Sequence, residues 1–165
     1  MTLSASMSKT WCFCNRSLAY FHLDPSRGSE VSKAILSEDY DGILHADFYA
    51  AYNFLPKVQR CLIHFLRAIS DELEIRPEDK SLTDLKDGLK NIIEKGSQLK
   101  KIDDDQQRNV GRQQLEDKLQ TLAKLKSENK KTNTLIKRLV RHQHELIRFV
   151  DHPRPSFTIT GPNTP

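Results

Sequence analysis

The chain has 165 residues, of which 37% are hydrophobic and 29% charged, and a formal net charge of +4. This length allows one domain with a sizeable core, or a small core with a helical extension. No apolar run approaches the roughly 20 residues needed to span a bilayer, and residues 1–9 lack the apolar segment of a signal peptide. These features exclude a membrane-spanning or secreted protein, so we expect a cytoplasmic protein with no membrane partner.

The charge is unevenly distributed along the chain. Residues 1–80 carry a net charge of −2, whereas residues 81–165 carry +6. A basic second half is typical of proteins that bind a polyanion such as DNA. Lysine-rich helix faces also serve solubility alone, and that alternative stays open.

The first half of the chain predicts short strands and helices. Pro25 ends an apolar run because it lacks an N–H donor and fixes its own φ. Asp24 beside it is interpreted as a turn former rather than a metal ligand. In chain order we predict a disordered start over 1–10, strands over 11–15 and 18–23 with a turn at 15–17, a helix over 29–36, a strand over 42–46 and a short helix over 49–54.

Three cysteines do not form an even disulfide framework, and a cytosolic chain would keep them reduced. Cys12 and Cys14 alternate with aromatic residues and therefore share one face of a strand. With Cys61 and His64 they could supply four zinc ligands, although C-x-C departs from the usual C-x-x-C spacing. The preferred interpretation is that the cysteines are small buried hydrophobes.

The segment 42–53 ends a predicted strand with a carboxylate. Ile43 and Leu44 are strand formers, and Asp47 stands where the apolar run stops. A carboxylate at the end of a buried strand, followed by a helix-like segment, is a common way to hold a metal ion rigidly. The alternative is that Asp47 only caps the helix that follows it.

Residues 60–63 form a further apolar run that leads into a helix. Cys61, His64 and Arg67 recur at a spacing of three residues and so share a helix face. On that face His64 and Arg67 could meet a phosphate or an acidic partner. Alternatively, His64 packs on an apolar face and Arg67 pairs with Asp71.

From Ser81 onwards the pattern is helical. Residues 81–84 have the form of a capping box, and we expect Gly96 to end the helix that they begin. Two further helices follow, and each of the three helices carries one narrow apolar stripe, which is typical of a packed helical hairpin or bundle, with a short coiled-coil dimer as the alternative. The stripes consist of Leu82, Leu85, Leu89, Ile92 and Ile93; of Leu115, Leu119, Leu122 and Leu125; and of Leu135, Leu139, His142, Leu146 and Phe149.

Three motifs follow one another in the chain: D-P-S-R-G at 24–28, G-I-L-x-x-D-x-Y-A-A-Y-N at 42–53, and R-C-x-x-H-x-x-R at 60–67. In this order, after a first strand, they resemble the DDE transposases of the insertion sequence sixty-six family. The resemblance extends over about 11–153, nearly the whole chain. It implies a ribonuclease-H-like catalytic core in which two Asp and one Glu hold Mg²⁺ or Mn²⁺ to cut and join DNA strands.

By this resemblance Asp47 matches the second catalytic acid and metal ligand of the triad. The first Asp of the family lies on an earlier strand, but residues 1–10 contain no acidic residue. The family's Glu belongs to an N-N-x-A-E segment after D-H-P, and no Glu follows Glu145 in this chain. One acid of three cannot hold two cations, so we expect no tight metal binding.

We therefore predict an α/β fold: a partial ribonuclease-H-like mixed sheet over 11–75, followed by a mainly α-helical region over 81–153. That region matches the helical insertion and last helix of the family. The predicted function is that of a DDE transposase fragment, inactive alone, with transposon-end DNA and another transposase protomer as partners and with His64 and Arg67 as DNA contacts. The alternative is a non-enzymatic helical module that binds DNA or protein.

Two further expectations concern the ends of the sheet and of the chain. Without a first strand, the strand that carries Trp11 and Phe13 should have an unpaired edge, uncovered apolar side chains and marginal stability. Residues 154–165 are expected to be a disordered tail. Codons allowed for 159–163, read in another frame, encode Asn-Arg-Ala-Glu, so a frameshift shortly after Pro153 is our hypothesis; an unrelated tail is the alternative.

Overall fold

A computed structural model of the chain describes residues 8–151 and the backbone of residues 157–160. Contacts divide these residues into two compact units. The sheet unit comprises the residues up to Gln59 together with 157–160, and the helical unit begins at Arg60. The helix after Arg60 belongs to the helical unit because it packs with the later helices.

The sheet unit contains a five-stranded mixed sheet in the order β2-β1-β5-β3-β4. The predicted strands and helix of the first half are thus formed, which confirms the α/β class. The elements are β1 Lys9–Cys14, β2 Ala19–Asp24, α1 Ser29–Leu36, β3 Leu44–Ala46, a 3₁₀ turn Ala50–Tyr52, β4 Val58–Arg60 and β5 Phe157–Thr160.

Strand β5 pairs with β1 on one side and with β3 on the other. Its pairing with β1 is antiparallel, with Phe13 opposite Ile159, and its pairing with β3 is parallel, with Leu44 opposite Phe157. We expected a disordered tail here, and these four residues instead form a strand. The other residues of the expected tail, 154–156 and 161–165, lie outside the described residues, as do residues 1–7 of the expected disordered start.

The prediction of an unpaired edge beside β1 is wrong. Strand β1 pairs antiparallel with β2 along its whole length, and its second edge is paired with β5. Trp11 and Phe13, which we expected to be uncovered, are only 5% and 2% exposed. They pack with α1, β3 and the 3₁₀ turn in the core of the sheet unit.

An exposed apolar edge does occur, but it is β2. This strand ends the sheet in the described part of the chain. Large apolar side chains on both of its faces are exposed, which is unusual for the edge strand of a monomer. They are Tyr20, Phe21 and Leu23, and Leu18 directly before the strand is exposed as well.

Two side chains build the turns of the first half as predicted. The Asn15 carboxamide oxygen accepts hydrogen bonds from the backbone N–H groups of Ser17 and Leu18, each at 2.9 Å. The Asp24 carboxylate accepts one from the N–H of Ser26 at 2.7 Å. Asp24 is therefore a turn former, because its carboxylate replaces a backbone acceptor where Pro25 interrupts the chain.

The helical unit consists of four packed helices, of which α3 contacts each of the others. They are α2 Leu62–Ile75, α3 Lys80–Leu99, α4 Asp105–Ala123 and α5 Lys130–Ile147, followed by a 3₁₀ turn Arg148–Val150. The predicted stripes form the core: Leu82, Leu85, Leu89, Ile92, Leu115, Leu119, Leu139 and Leu146 are at most 1% exposed. Among the described residues, no helix is long and apolar enough to cross a membrane.

The N-terminus of α3 differs from the predicted capping box. Asp79, not Ser81, is the N-cap, and its carboxylate accepts hydrogen bonds from the N–H groups of Ser81 and Leu82. The same carboxylate accepts hydrogen bonds from Ser127 at 3.1 Å and Thr132 at 2.7 Å. Burial raises the pKa of Asp79, but the hydrogen bonds outweigh it and hold the pKa below its ordinary value.

Gly96 does not end α3, which continues to Leu99. The glycine is required by packing: a Cβ at this position would lie 2.4 Å from the ring of Phe149. Such a contact is far inside van der Waals distance, so the close approach of the two segments depends on glycine. A glycine can therefore mark a helix contact as well as a helix end.

Candidate functional site

The candidate site lies at one edge of the sheet in the sheet unit. Because β2 and β5 both run antiparallel to β1, and β5 runs parallel to β3, strands β2 and β3 point the same way. Their carboxyl ends therefore lie along the same edge of the sheet, meaning the edge formed by the ends of the strands and not by an outer strand. Asp24 ends β2 and begins the D-P-S-R-G motif, while Asp47 follows β3 directly.

Aromatic residues hold the two motifs together at this edge. The indole N–H of Trp11 donates a hydrogen bond to the carbonyl of Ser26 at 3.3 Å, and the hydroxyl of Tyr49 donates one to the carbonyl of Arg27. The rings of Trp11, Tyr49 and Tyr52 are in mutual contact, with centroids 6.0–6.2 Å apart. Segments separated by some twenty residues thus form one surface, and sequence reasoning did not assign Trp11 or Tyr49 to it.

Asp47 lies at the end of an interior strand, as the sequence predicts, and is half-buried. Its carboxylate accepts a hydrogen bond from the N–H of Tyr49 at 2.8 Å, which shapes the entry into the 3₁₀ turn. This bond closes a local turn and is not the helix cap that we considered as the alternative to a metal site, because Tyr49 is the N-cap of the 3₁₀ turn and no side chain caps it. Asp47 has a structural role in the turn whatever else it binds.

The residues present do not fit the divalent-metal site that the resemblance implies. Two cations require a cluster of carboxylates. In the described ranges, 8–151 and 157–160, no group of three or more His, Cys, Asp or Glu side chains could hold a metal ion. Asp24, at the same edge as Asp47, is held by the Ser26 N–H and lies 3.5 Å from the His22 imidazole.

The zinc hypothesis for Cys12, Cys14, Cys61 and His64 fails for the same reason. None of the three cysteines is in a disulfide, and all are half-buried rather than fully buried. Burial, together with the neighbouring Cys12, raises the pKa of the Cys14 thiol. Cys14 is therefore a neutral thiol on a partly covered surface of β1.

His64 and Arg67 lie on α2 and so belong to the helical unit, whereas Asp47 belongs to the sheet unit. His64 is half-buried, and its Nδ1 has no hydrogen-bond partner among the described residues. Arg67 is exposed, and the alternative ion pair between Arg67 and Asp71 does not form in the described structure. Arg67 is therefore open to a partner, whereas the Nδ1 atom of His64 is buried.

Sequence reasoning missed Arg60, the first residue of the R-C-x-x-H motif. Arg60 is 1% exposed, and its Nε donates to Oε2 of Glu145 on α5 at 2.6 Å. The Nδ1 atom of His142 lies 3.2 Å from the same oxygen. An arginine that opens an otherwise apolar run was the available signal, because a buried guanidinium requires a carboxylate partner.

A model of the transposase IS66 family matches residues 3–158, and the chain belongs to this family. Transposases of this family act in DNA transposition, so membership indicates DNA as a partner. No curated protein and no solved structure matches the chain.

Proposed function

We propose that this chain is a part of a DDE transposase core that binds DNA but does not cut it by itself. The observation that carries the proposal is the edge of the sheet where the D-P-S-R-G motif and the Asp47 motif meet. This edge presents one acid in the position expected for a triad member. The side chains around it supply turn bonds and aromatic contacts rather than further metal ligands.

The sheet supports a ribonuclease-H-like core with a substituted strand. A strand preceding β1 in the intact family would pair with the edge of β1 that β2 leaves open. In this chain β5 occupies that edge and also pairs with β3. We infer that β5 takes the place of the first strand but supplies no acid, because Phe157–Thr160 contains none.

His64 and Arg67 belong to the proposal as DNA contacts on α2. Arg67 is exposed, and an exposed guanidinium is a suitable partner for phosphate. The net charge of +6 over residues 81–165 supports the same partner. DNA contacts of this kind are expected to be largely independent of sequence.

The proposal is tested by titrating a fluorescein-labelled duplex with the purified chain at several salt concentrations. We expect binding whose logarithmic affinity falls linearly with the logarithm of salt concentration, because phosphate contacts release counterions. Anisotropy of the labelled duplex gives the affinity directly. Absence of binding at low salt would contradict the proposed function.

A further inference from the structure

We propose that one face of α5, formed by Lys130, Lys137 and Arg141, is the surface on which this chain binds the phosphates of duplex DNA. We call it the α5 basic face. The inference rests on the proposed function, since it names the surface that carries out DNA binding. It adds a site to His64 and Arg67, which lie on α2.

The positive charge of the helical unit is concentrated on α5. Helix α5 carries five Lys or Arg residues and one acid, a net charge of +4. By the same count α2 carries −2, α3 carries +1 and α4 carries zero. If lysines and arginines served solubility alone, we would expect a basic face on every exposed helix. Here one helix carries nearly all of the excess of positive over negative charge.

The three cations lie on a single stripe. Positions 130, 137 and 141 are seven and four residues apart, so they fall within about 40° of one another around a helix of 3.6 residues per turn. All three are exposed, and the stripe lies opposite the fully buried Leu139. Within the described residues none of the three forms an ion pair, whereas neighbouring Lys131 lies 3.4 Å from Glu72.

The one acid of α5 does not neutralise this face. Glu145 is bound by the buried guanidinium of Arg60 at 2.6 Å and lies 3.2 Å from His142. Its charge is therefore already compensated from inside the helical unit. The ion pair with Arg60 thus compensates the single acid of α5, and the three cations of the face have no other acid on their own helix.

The spacing of the face suits a duplex. From Lys130 to Arg141 the helix rises about 16.5 Å. Duplex DNA carries one phosphate charge per about 1.7 Å of axis, so a phosphate is within reach of each cation along this length.

Lys130 and Lys131 also stand in the first turn of α5, where cations do not stabilise a helix. Helix stability therefore gives no reason for these two lysines.

The test compares two triple variants of the full chain with equal changes in charge. Lys130→Gln, Lys137→Gln and Arg141→Gln together remove the α5 basic face. The matched control, Lys90→Gln, Lys95→Gln and Lys118→Gln, removes three exposed lysines from α3 and α4. Far-UV circular dichroism checks that both variants keep the helical content of the wild type.

We expect the α5 variant to bind a labelled duplex at least about tenfold more weakly at low salt, with a salt slope reduced by roughly 3 because each phosphate contact contributes about 0.9. The control should keep the wild-type slope. A third variant, Lys130→Arg, Lys137→Arg and Arg141→Lys, should bind like the wild type because it preserves the charge.

Equal binding by the wild type and the α5 variant would overturn the inference and leave the proposed function standing. A wild type that does not bind would defeat both. Poly-L-glutamate is added as a competitor at equal charge, since an acidic protein surface also complements cations. If it displaces the chain as effectively as unlabelled duplex does, the face recognises acidic protein and the inference is wrong.

Discussion

Arg60, Glu145 and His142 form a charged cluster in the helical unit. The guanidinium of Arg60 is almost inaccessible to solvent, so its burial requires the carboxylate of Glu145 as a partner. His142 is 7% exposed and contacts the same carboxylate. The cluster fixes the start of the R-C-x-x-H motif against α5. It also compensates the charge of Glu145, the one acidic residue of that helix.

The cluster gives a prediction about pH. Burial lowers the pKa of His142 below its ordinary value of 6.5, with Arg60 and Arg141 acting in the same direction and Glu145 opposing them. The unfolded chain therefore takes up a proton on this residue before the folded chain does. The contribution of His142 to the free energy of unfolding is complete above about pH 6.5 and is lost as the pH falls below it.

We expect the free energy of unfolding of the wild type to decrease more steeply between about pH 7 and 5 than that of His142→Gln. The control is His144→Gln, an exposed histidine of the same helix, which should follow the wild type. Urea denaturation followed at 222 nm gives the three curves. Parallel curves for the wild type and His142→Gln would contradict the assignment.

Among the secondary-structure elements, β5 is the strand that joins the two parts of the sheet. It is the strand between β1 and β3, which do not pair with each other. Removing it would expose backbone donors and acceptors on both neighbours and open the core around Trp11. We therefore attribute the integrity of the sheet unit to four residues at the far end of the chain.

The prediction is that deletion of residues 152–165 destabilises the sheet unit, whereas deletion of residues 161–165, which keeps β5, does not. Trp11 is the single tryptophan and is buried in this unit, so its emission reports the sheet selectively. We expect the longer deletion to give a red-shifted emission and a lower transition temperature. An unchanged emission spectrum would show that β5 does not hold the sheet together.

At the scale of the whole molecule, the sequence predicted features that depend on neighbouring residues. The Asn15 and Asp24 turns, the position of Asp47 after β3 and the leucine stripes follow from local spacing and backbone chemistry. Features that join distant residues were missed. These are the pairing of β5 with β1, the Arg60–Glu145 pair, and the fit of Phe149 against Gly96.

The candidate site was predictable in part for the same reason. Asp47 was found because a strand and a carboxylate adjoin in the sequence. The contacts of Trp11 and Tyr49 with the D-P-S-R-G motif depend on tertiary neighbours. A local pattern gives the residue types, but only the packed chain decides which of them meet.

The central claim, that the chain belongs to a DNA-cutting family but does not cut DNA by itself, is tested most directly by a nicking assay. Supercoiled plasmid is incubated with the purified chain and Mg²⁺ or Mn²⁺, alongside Asp47→Ala and the exposed control Asp39→Ala. We predict no metal-dependent nicking by any of the three, since one carboxylate retains a cation too weakly for strand cleavage. Nicking by the wild type and Asp39→Ala that disappears in Asp47→Ala would contradict the account.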